Sequence, residues 1–232
     1  MILPPYKDPS CVLWYDFTSI KNNTVYDQSQ YGNHGTVYGA TQIGNFGLHG
    51  LHFDGVDDYV ASSFAPFQDG DSYTQIIFAK VENNSSPYWI PLIEFKYNEN
   101  TISIEPSGEA YAGIYTDYDN GKSYSMSIAD NVFNQKNMYA LVANNVNKKG
   151  YVYLNAELKN SITFQGNTYN LTGRIAKIFQ TQNTRFLQGN VYFVALYNRA
   201  LSNAEIRELY YYLTKGIKSV VPSRFVGREV MR

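Results

Sequence analysis

Leu51-His52-Phe53-Asp54-Gly55-Val56-Asp57-Asp58-Tyr59-Val60 holds the pattern on which the fold reading rests. The apolar run Leu48–Phe53 and the run Tyr59–Ala61 favour strands, and the residues between them favour a turn. Phe53 is placed to plug a core, Asp54 to bond nearby turn amides, and Gly55 to permit the chain reversal. One strand, one tight turn and a second strand is the unit of an antiparallel sheet.

On both sides of this unit, period-two alternation or short β-rich runs recur along the whole chain. They cover Val12–Phe17, Tyr73–Val81, Trp89–Phe95, Thr101–Ile104, Ala110–Tyr115, Tyr124–Ile128 and Met138–Ala143, then Tyr151–Leu154, Ser161–Phe164, Ile175–Phe179 and Asn190–Tyr197. Turn chemistry separates them at Tyr31-Gly32-Asn33-His34-Gly35, Pro106-Ser107-Gly108, Asp119-Asn120-Gly121 and Lys148-Lys149-Gly150. This spacing predicts an all-β sandwich, with a hairpin at Asp119-Asn120-Gly121. One segment differs. Ser202-Asn203-Ala204-Glu205 is a capping box, Leu201 and Ile206 stand where a hydrophobic staple forms, and Leu209 and Leu213 continue the stripe. A helix is predicted over Asn203–Lys215, with Gly216 as its stop.

A chain of 232 residues is compatible with a single sandwich. The reading assigns an N-terminal extension to 1–10, one domain to 11–216 and a basic tail to 217–232. Pro4, Pro5 and Pro9 predict an extended start, and Arg224, Arg228 and Arg232 make the end positive. Cys11 is the only cysteine, which excludes an internal disulfide and a C-x-x-C site. Nineteen Lys and Arg against 20 Asp and Glu leave a formal charge of −1, so no field is available to hold nucleic acid. No apolar stretch approaches the roughly 20 residues of a spanning helix, so membrane insertion is not expected. The first residues also lack the basic start and apolar run of a signal peptide. The chain is rich in Tyr, with 22, and only 17% of its residues are charged. Aromatic faces, hydroxyls and amides of this kind suit adhesive and sugar-binding surfaces, and Tyr also simply suits strands.

Two stretches at opposite ends carry a family resemblance. The first joins Leu13-Trp14-Tyr15-Asp16-Phe17, Val25-Tyr26-Asp27-Gln28-Ser29 and Gly32-Asn33-His34-Gly35-Thr36 to the run Leu51–Val60. The second is Gly189-Asn190-Val191-Tyr192-Phe193-Val194-Ala195-Leu196-Tyr197-Asn198-Arg199-Ala200-Leu201-Ser202, followed by the helix. In order and separation they resemble the laminin-G-like branch of the concanavalin A-like lectin/glucanase superfamily. The resemblance implies a jelly-roll β-sandwich of two antiparallel sheets with one short C-terminal helix. It also implies a structural calcium ion, with Asp27, Asn33 and Asp54 in the matching loops. Asx turns, in which Asp27 and Asn33 bond their own backbone, are the alternative. Arg199 is expected to bridge to a carboxylate such as Asp16 or Asp54.

Catalytic chemistry is hard to find. The carboxylate alternation of related glycosidases is missing, and Glu94, Glu99 and Glu105 lie in interrupted segments. His34, His49 and His52 all fall early, with no nucleophile elbow beside a serine or Cys11. The expectation is therefore a non-catalytic carbohydrate-binding or adhesion module, extracellular or on a virion surface, that meets a glycan or glycosylated surface. Its ligand site is expected on one hairpin, at Tyr115, Asp117, Tyr118, Asp119, Asn120 and Tyr124, with Trp89 as a rival aromatic. The alternative is a structural protein of a virus particle or cell-surface assembly, docked to a further copy or to an assembly partner through the C-terminal tail, which would make it a homo-oligomer in the first case. A glycoside hydrolase is a more distant third.

Overall fold

The computed structural model describes residues 4–45, 48–62, 67, 70–95, 101–117, 121–168, 176–181 and 185–215. Its central strand is Tyr73–Asn83, where the first seven side chains are all buried. Such a strand must be covered on both faces, because an exposed face would show alternation. Ile77, Ala79 and Val81 enter one core with Tyr139, Leu141, Val191 and Val194. Ile76 and Phe78 enter a second with Trp14, Met138, Ala140, Phe193 and Ala195.

This strand lies within the larger sheet, whose order is Glu157–Thr163, Lys149–Leu154, Lys136–Asn144, Tyr73–Asn83, Gln188–Tyr197, Leu48–Asp54 and Thr41–Asn45. Cys11–Tyr15 adds to Gln188–Tyr197, antiparallel like the other pairings. The facing layer is built from two shorter sheets. One runs Ile93–Phe95, Ala176–Ile178, Tyr59–Ser62, Gly35–Tyr38, Thr24–Val25 and Ile20–Lys21. The other runs Lys122–Ala129, Ala110–Thr116, Thr101–Ile104 and Ile90–Pro91. Val37, Val60, Ile102, Ile104, Ile114 and Met126 reach from this layer into the first core. The layers approach closely at Gly150, where a Cβ would overlap Ile114 Cδ1.

The helix Asn203–Lys215 covers the outer face of the larger sheet with Ile206 and Leu209, both fully buried. Its predicted capping box is present. Ser202 Oγ accepts from Glu205 N, and Glu205 Oε2 accepts from Ser202 N at 2.8 Å. Leu201 and Ile206 join the same core.

Several expectations are corrected by the fold. The run Trp89–Phe95 is two strands, since Ile90–Pro91 pairs with Thr101–Ile104 while Ile93–Phe95 pairs with Ala176–Ile178. Pro91 has no N–H to continue a ladder, and the chain changes sheets at Leu92. The start of the chain is not extended throughout: Pro5–Lys7 forms a 3₁₀ turn with proline at its first position, and Tyr6 packs its ring 5.6 Å from that of Trp14. Arg199 does bridge carboxylates, but they are those of Asp8 at 2.6 Å and Glu205 at 2.8 Å, not Asp16 or Asp54. Asp16 instead accepts from Thr18. The basic tail 217–232 lies outside the described residues.

Candidate functional site

The outward positions of the six-stranded sheet follow from the inward ones. Val37 and Val60 point into the core, so their neighbours Tyr38 and Tyr59 point away from it. The two tyrosines are cross-strand partners. Their rings stack with centroids 4.4 Å apart and planes 11° from parallel. Phe186, on the two-residue strand Arg185–Phe186, stands 6.5 Å from Tyr59, ring to ring. These aromatics line a groove of about 710 Å³ whose polar groups come from Asn23, Asp57 and Gln180. Phe186 also borders a second cleft of about 370 Å³, with Val56, Ser85, Ser86, Tyr88 and Arg185. There the Arg185 guanidinium lies 4.2 Å from the centre of the Tyr88 ring, within cation–π range. Tyr38 and Tyr88 are 44% and 54% exposed, which leaves both rings open to a ligand.

The rim between groove and cleft is the acidic turn after Phe53. Asp54 Oδ1 accepts from Val56 N at 2.8 Å, as an Asx turn should, and Asp58 Oδ2 accepts from Asp54 N at 2.9 Å. Gly55 takes a positive φ of 82°, where a side chain would be strained. Asp58 is buried against Gly39, a residue with φ of 73° whose Cβ would overlap the Asp58 carboxylate. Carboxylate oxygens of Asp54, Asp57 and Asp58 all fall within 4.8 Å of one another. Burial raises the Asp58 pKa above the ordinary aspartate value, and the charges of Asp54 and Asp57 push it the same way. Among the described residues Asp57 has no hydrogen-bond partner, and it lines the groove.

Of the residues expected to bind a ligand, Tyr115, Asp117 and Tyr124 line neither the groove nor the cleft. Tyr118, Asp119 and Asn120 fall outside the described residues. Around them, Lys122–Ala129 and Ala110–Thr116 do form the predicted hairpin. Its flanking residues are occupied by the fold: Tyr124 Oη accepts from Gln165 N at 3.0 Å, and Asp117 Oδ1 accepts from Asn167 N at 2.7 Å. Tyr115 is half-buried against Gly121, where a Cβ would overlap its hydroxyl. Trp89 is half-buried, edge-on to Tyr111. Sequence reasoning misses the groove aromatics because Gly35–Tyr38 and Arg185–Phe186 are short and rich in Gly, Thr or charge. The alternation Val37/Tyr38 and Tyr59/Val60 is the available signal.

The calcium expectation rests on Asp27, Asn33 and Asp54. The first two meet, since Asn33 N donates to Asp27 Oδ2 at 2.8 Å. Asp27 also accepts from Trp14 N and Ser29 N on Oδ1, and from Ser29 Oγ on Oδ2. Four donors fill the two oxygens, and the Asn33 side chain donates to Val12 O at 2.7 Å. Asp27 therefore does not fit a hard cation, which needs free carboxylate lone pairs. Asp54 belongs to the separate turn with Asp57 and Asp58.

Known structures share this fold. Among solved structures, the binding domain of Paraclostridial mosquitocidal protein 1 superposes with a TM-score of 0.66 at 14% identity, covering 87% of this chain and 52% of that one. The binding domain of botulinum neurotoxin DC in complex with rat synaptotagmin II gives 0.66 at 15% identity, covering 88% and 52%. That neurotoxin domain is also known in complex with SialylT. This chain thus spans about half the length of those binding domains. Domain 4 of AbnA, a GH43 extracellular arabinanase from Geobacillus stearothermophilus, solved in complex with arabinotriose, gives 0.65 at 14% identity and is covered over 98% of its length by 87% of this chain. These likenesses show the fold, a jelly-roll sandwich as expected. No curated protein matches the sequence. The family model Laminin_G_3 matches residues 54–207, from the acidic turn to the helix, so the chain belongs to the concanavalin A-like lectin/glucanases superfamily.

Proposed function

We propose that this chain is a non-catalytic carbohydrate-binding module whose ligand lies in the groove of Tyr38, Tyr59 and Phe186. The carrying observation is the accessible aromatic wall beside Asp57 and Asn23. Flat rings accept the C–H faces of a sugar, while carboxylate and amide groups bond its hydroxyls. In this reading the ligand meets the groove rather than the 115–124 hairpin, whose Asp117 and Tyr124 already accept from backbone amides of Asn167 and Gln165 in the loop after Glu157–Thr163. Arabinotriose on the arabinanase domain and SialylT on the neurotoxin DC binding domain support a saccharide ligand. An extracellular setting fits the same comparison. No helix among the described residues is long and apolar enough to cross a membrane.

Hydrolysis is the reading to set against it, because the acidic turn gathers three carboxylates and presents one of them, Asp57, to the groove. A glycosidase needs two carboxyl groups flanking the scissile bond, about 5–10 Å apart. Here all three share one turn, and Asp58 is spent on Asp54 N and packed on Gly39. A glycan array followed by calorimetry tests the proposal: saccharide binding without release of reducing sugar is expected, and Tyr38→Ala is expected to weaken it. Release of sugar that is lost in Asp57→Asn would establish the enzyme instead.

A further inference from the structure

We infer, resting on the glycan reading, that the ligand is an extended neutral oligosaccharide lying across Phe186, with successive sugar units in the two clefts. Phe186 borders both the 710 Å³ groove and the 370 Å³ cleft, so the two are neighbours over one ring. Each side offers an exposed aromatic, Tyr38 with Tyr59 on one and Tyr88 on the other. A site for one terminal sugar would be a single closed pocket. Two clefts that share one lining ring suit a chain that fills both with successive units.

Charge narrows the class. The turn bearing Asp54, Asp57 and Asp58 borders both spaces, because Gly55 and Val56 line the smaller and Asp57 the larger. Against these carboxylates stands one guanidinium, Arg185, which has no acidic partner among the described residues and lies over Tyr88. A sugar acid entering the groove would meet unpaired Asp57 first, and like charges at this range repel. Hydroxyl groups donate to the same carboxylate favourably.

The test titrates the full chain, with EDTA present so that no cation bridges ligand and turn. The ligands are arabino-, cello- and galacto-oligosaccharides of one to five units, with oligogalacturonides and sialyllactose as acidic counterparts. In at least one neutral series, affinity is expected to rise about tenfold or more from one unit to three or four. Tyr88→Ala is expected to remove most of that rise; Tyr88 is exposed, and a matching melting temperature confirms that the variant folds. Asp57→Asn is expected to narrow the preference for neutral over acidic chains. Equal affinity for one unit and for four, or an unchanged rise in Tyr88→Ala, overturns the spanning geometry. Binding of acidic chains alone overturns neutrality while leaving the glycan reading standing. Binding of no saccharide overturns that reading itself.

Discussion

Two kinds of carboxylate occupy this molecule, and their difference separates framework from groove. Asp27, Asp8 and Glu205 have their oxygens filled by protein donors. Asp27 ties Trp14, Ser29 and Asn33 together. Asp8 and Glu205 clasp Arg199, joining the first residues to the strand end and the helix. The Asp54–Asp58 turn also contains bonded carboxylates, yet it leaves Asp57 without a protein donor among the described residues, at an open aromatic groove. Saturated carboxylates hold the chain in place, and an unsaturated one keeps its lone pairs for something outside it.

The framework set is most sensitive at Asp27. Asp27→Ala removes four acceptor contacts and leaves the buried Trp14 amide unpaired, so a loss of about 3–5 kcal/mol is expected in denaturant unfolding. A loss under about 1 kcal/mol would show that the hub is dispensable. EDTA is expected to leave the wild-type melting temperature unchanged at this site, whereas an ion bound only to the native state would shift it.

Arg199→Ala comes next. It strands the carboxylates of Asp8 and buried Glu205, but 35% of the arginine side chain is exposed, so screening limits the loss to about 2 kcal/mol rather than the 3–5 of a fully buried pair. Oligosaccharide affinity should not change, which thermal melts and titration of the same sample would show together. Tyr38→Ala is the converse. It is expected to cost about 1.4 kcal/mol of binding, a tenfold loss, with little change in melting temperature. A collapse of stability there would place Tyr38 in the framework.

The smallest effect concerns pH, and its sign differs between the two sets. Burial alone would raise the carboxyls of Asp8 and Glu205, but bonds from Arg199 and the nearby serines more than offset it and hold both below their ordinary values of 3.8 and 4.5. Their stabilisation is present above those values and is lost as pH falls through the lowered folded ones. Asp58 is raised, so the native state binds its proton more tightly and loses stability as pH rises from 3.8 through the folded value. Asp58→Asn, which can still accept from Asp54 N, should therefore be slightly more stable relative to wild type at pH 7 than at pH 3. The opposite trend in paired unfolding curves would mean that burial does not control Asp58.

Long runs and local codes are legible without the structure. Tyr73–Asn83, Thr101–Ile104 and Gln188–Tyr197 are strands because their apolar residues have nowhere else to go, and Ser202 with Glu205 marks the helix start within four residues. The short strands Ile20–Lys21, Thr24–Val25, Gly35–Tyr38 and Arg185–Phe186 escape notice, since pairing partners elsewhere in the chain, not their own composition, make them strands. Two of them carry groove residues. Arg199 is recognisable as a bridging cation, while its partners depend on where the first ten residues run.

By itself, then, the sequence determined an antiparallel sandwich closed by one helix, together with the turn at Asp54 that edges the groove. Periodicity and capping act over a few residues and can be read there. The tertiary structure decided that Tyr38 stacks on Tyr59, that Phe186 stands between two clefts, and which carboxylates find donors. Those outcomes depend on contacts between segments far apart in the chain, as in the bond of Arg199 to Asp8. No local pattern encodes such distances, because only the packing of the two layers brings those side chains together.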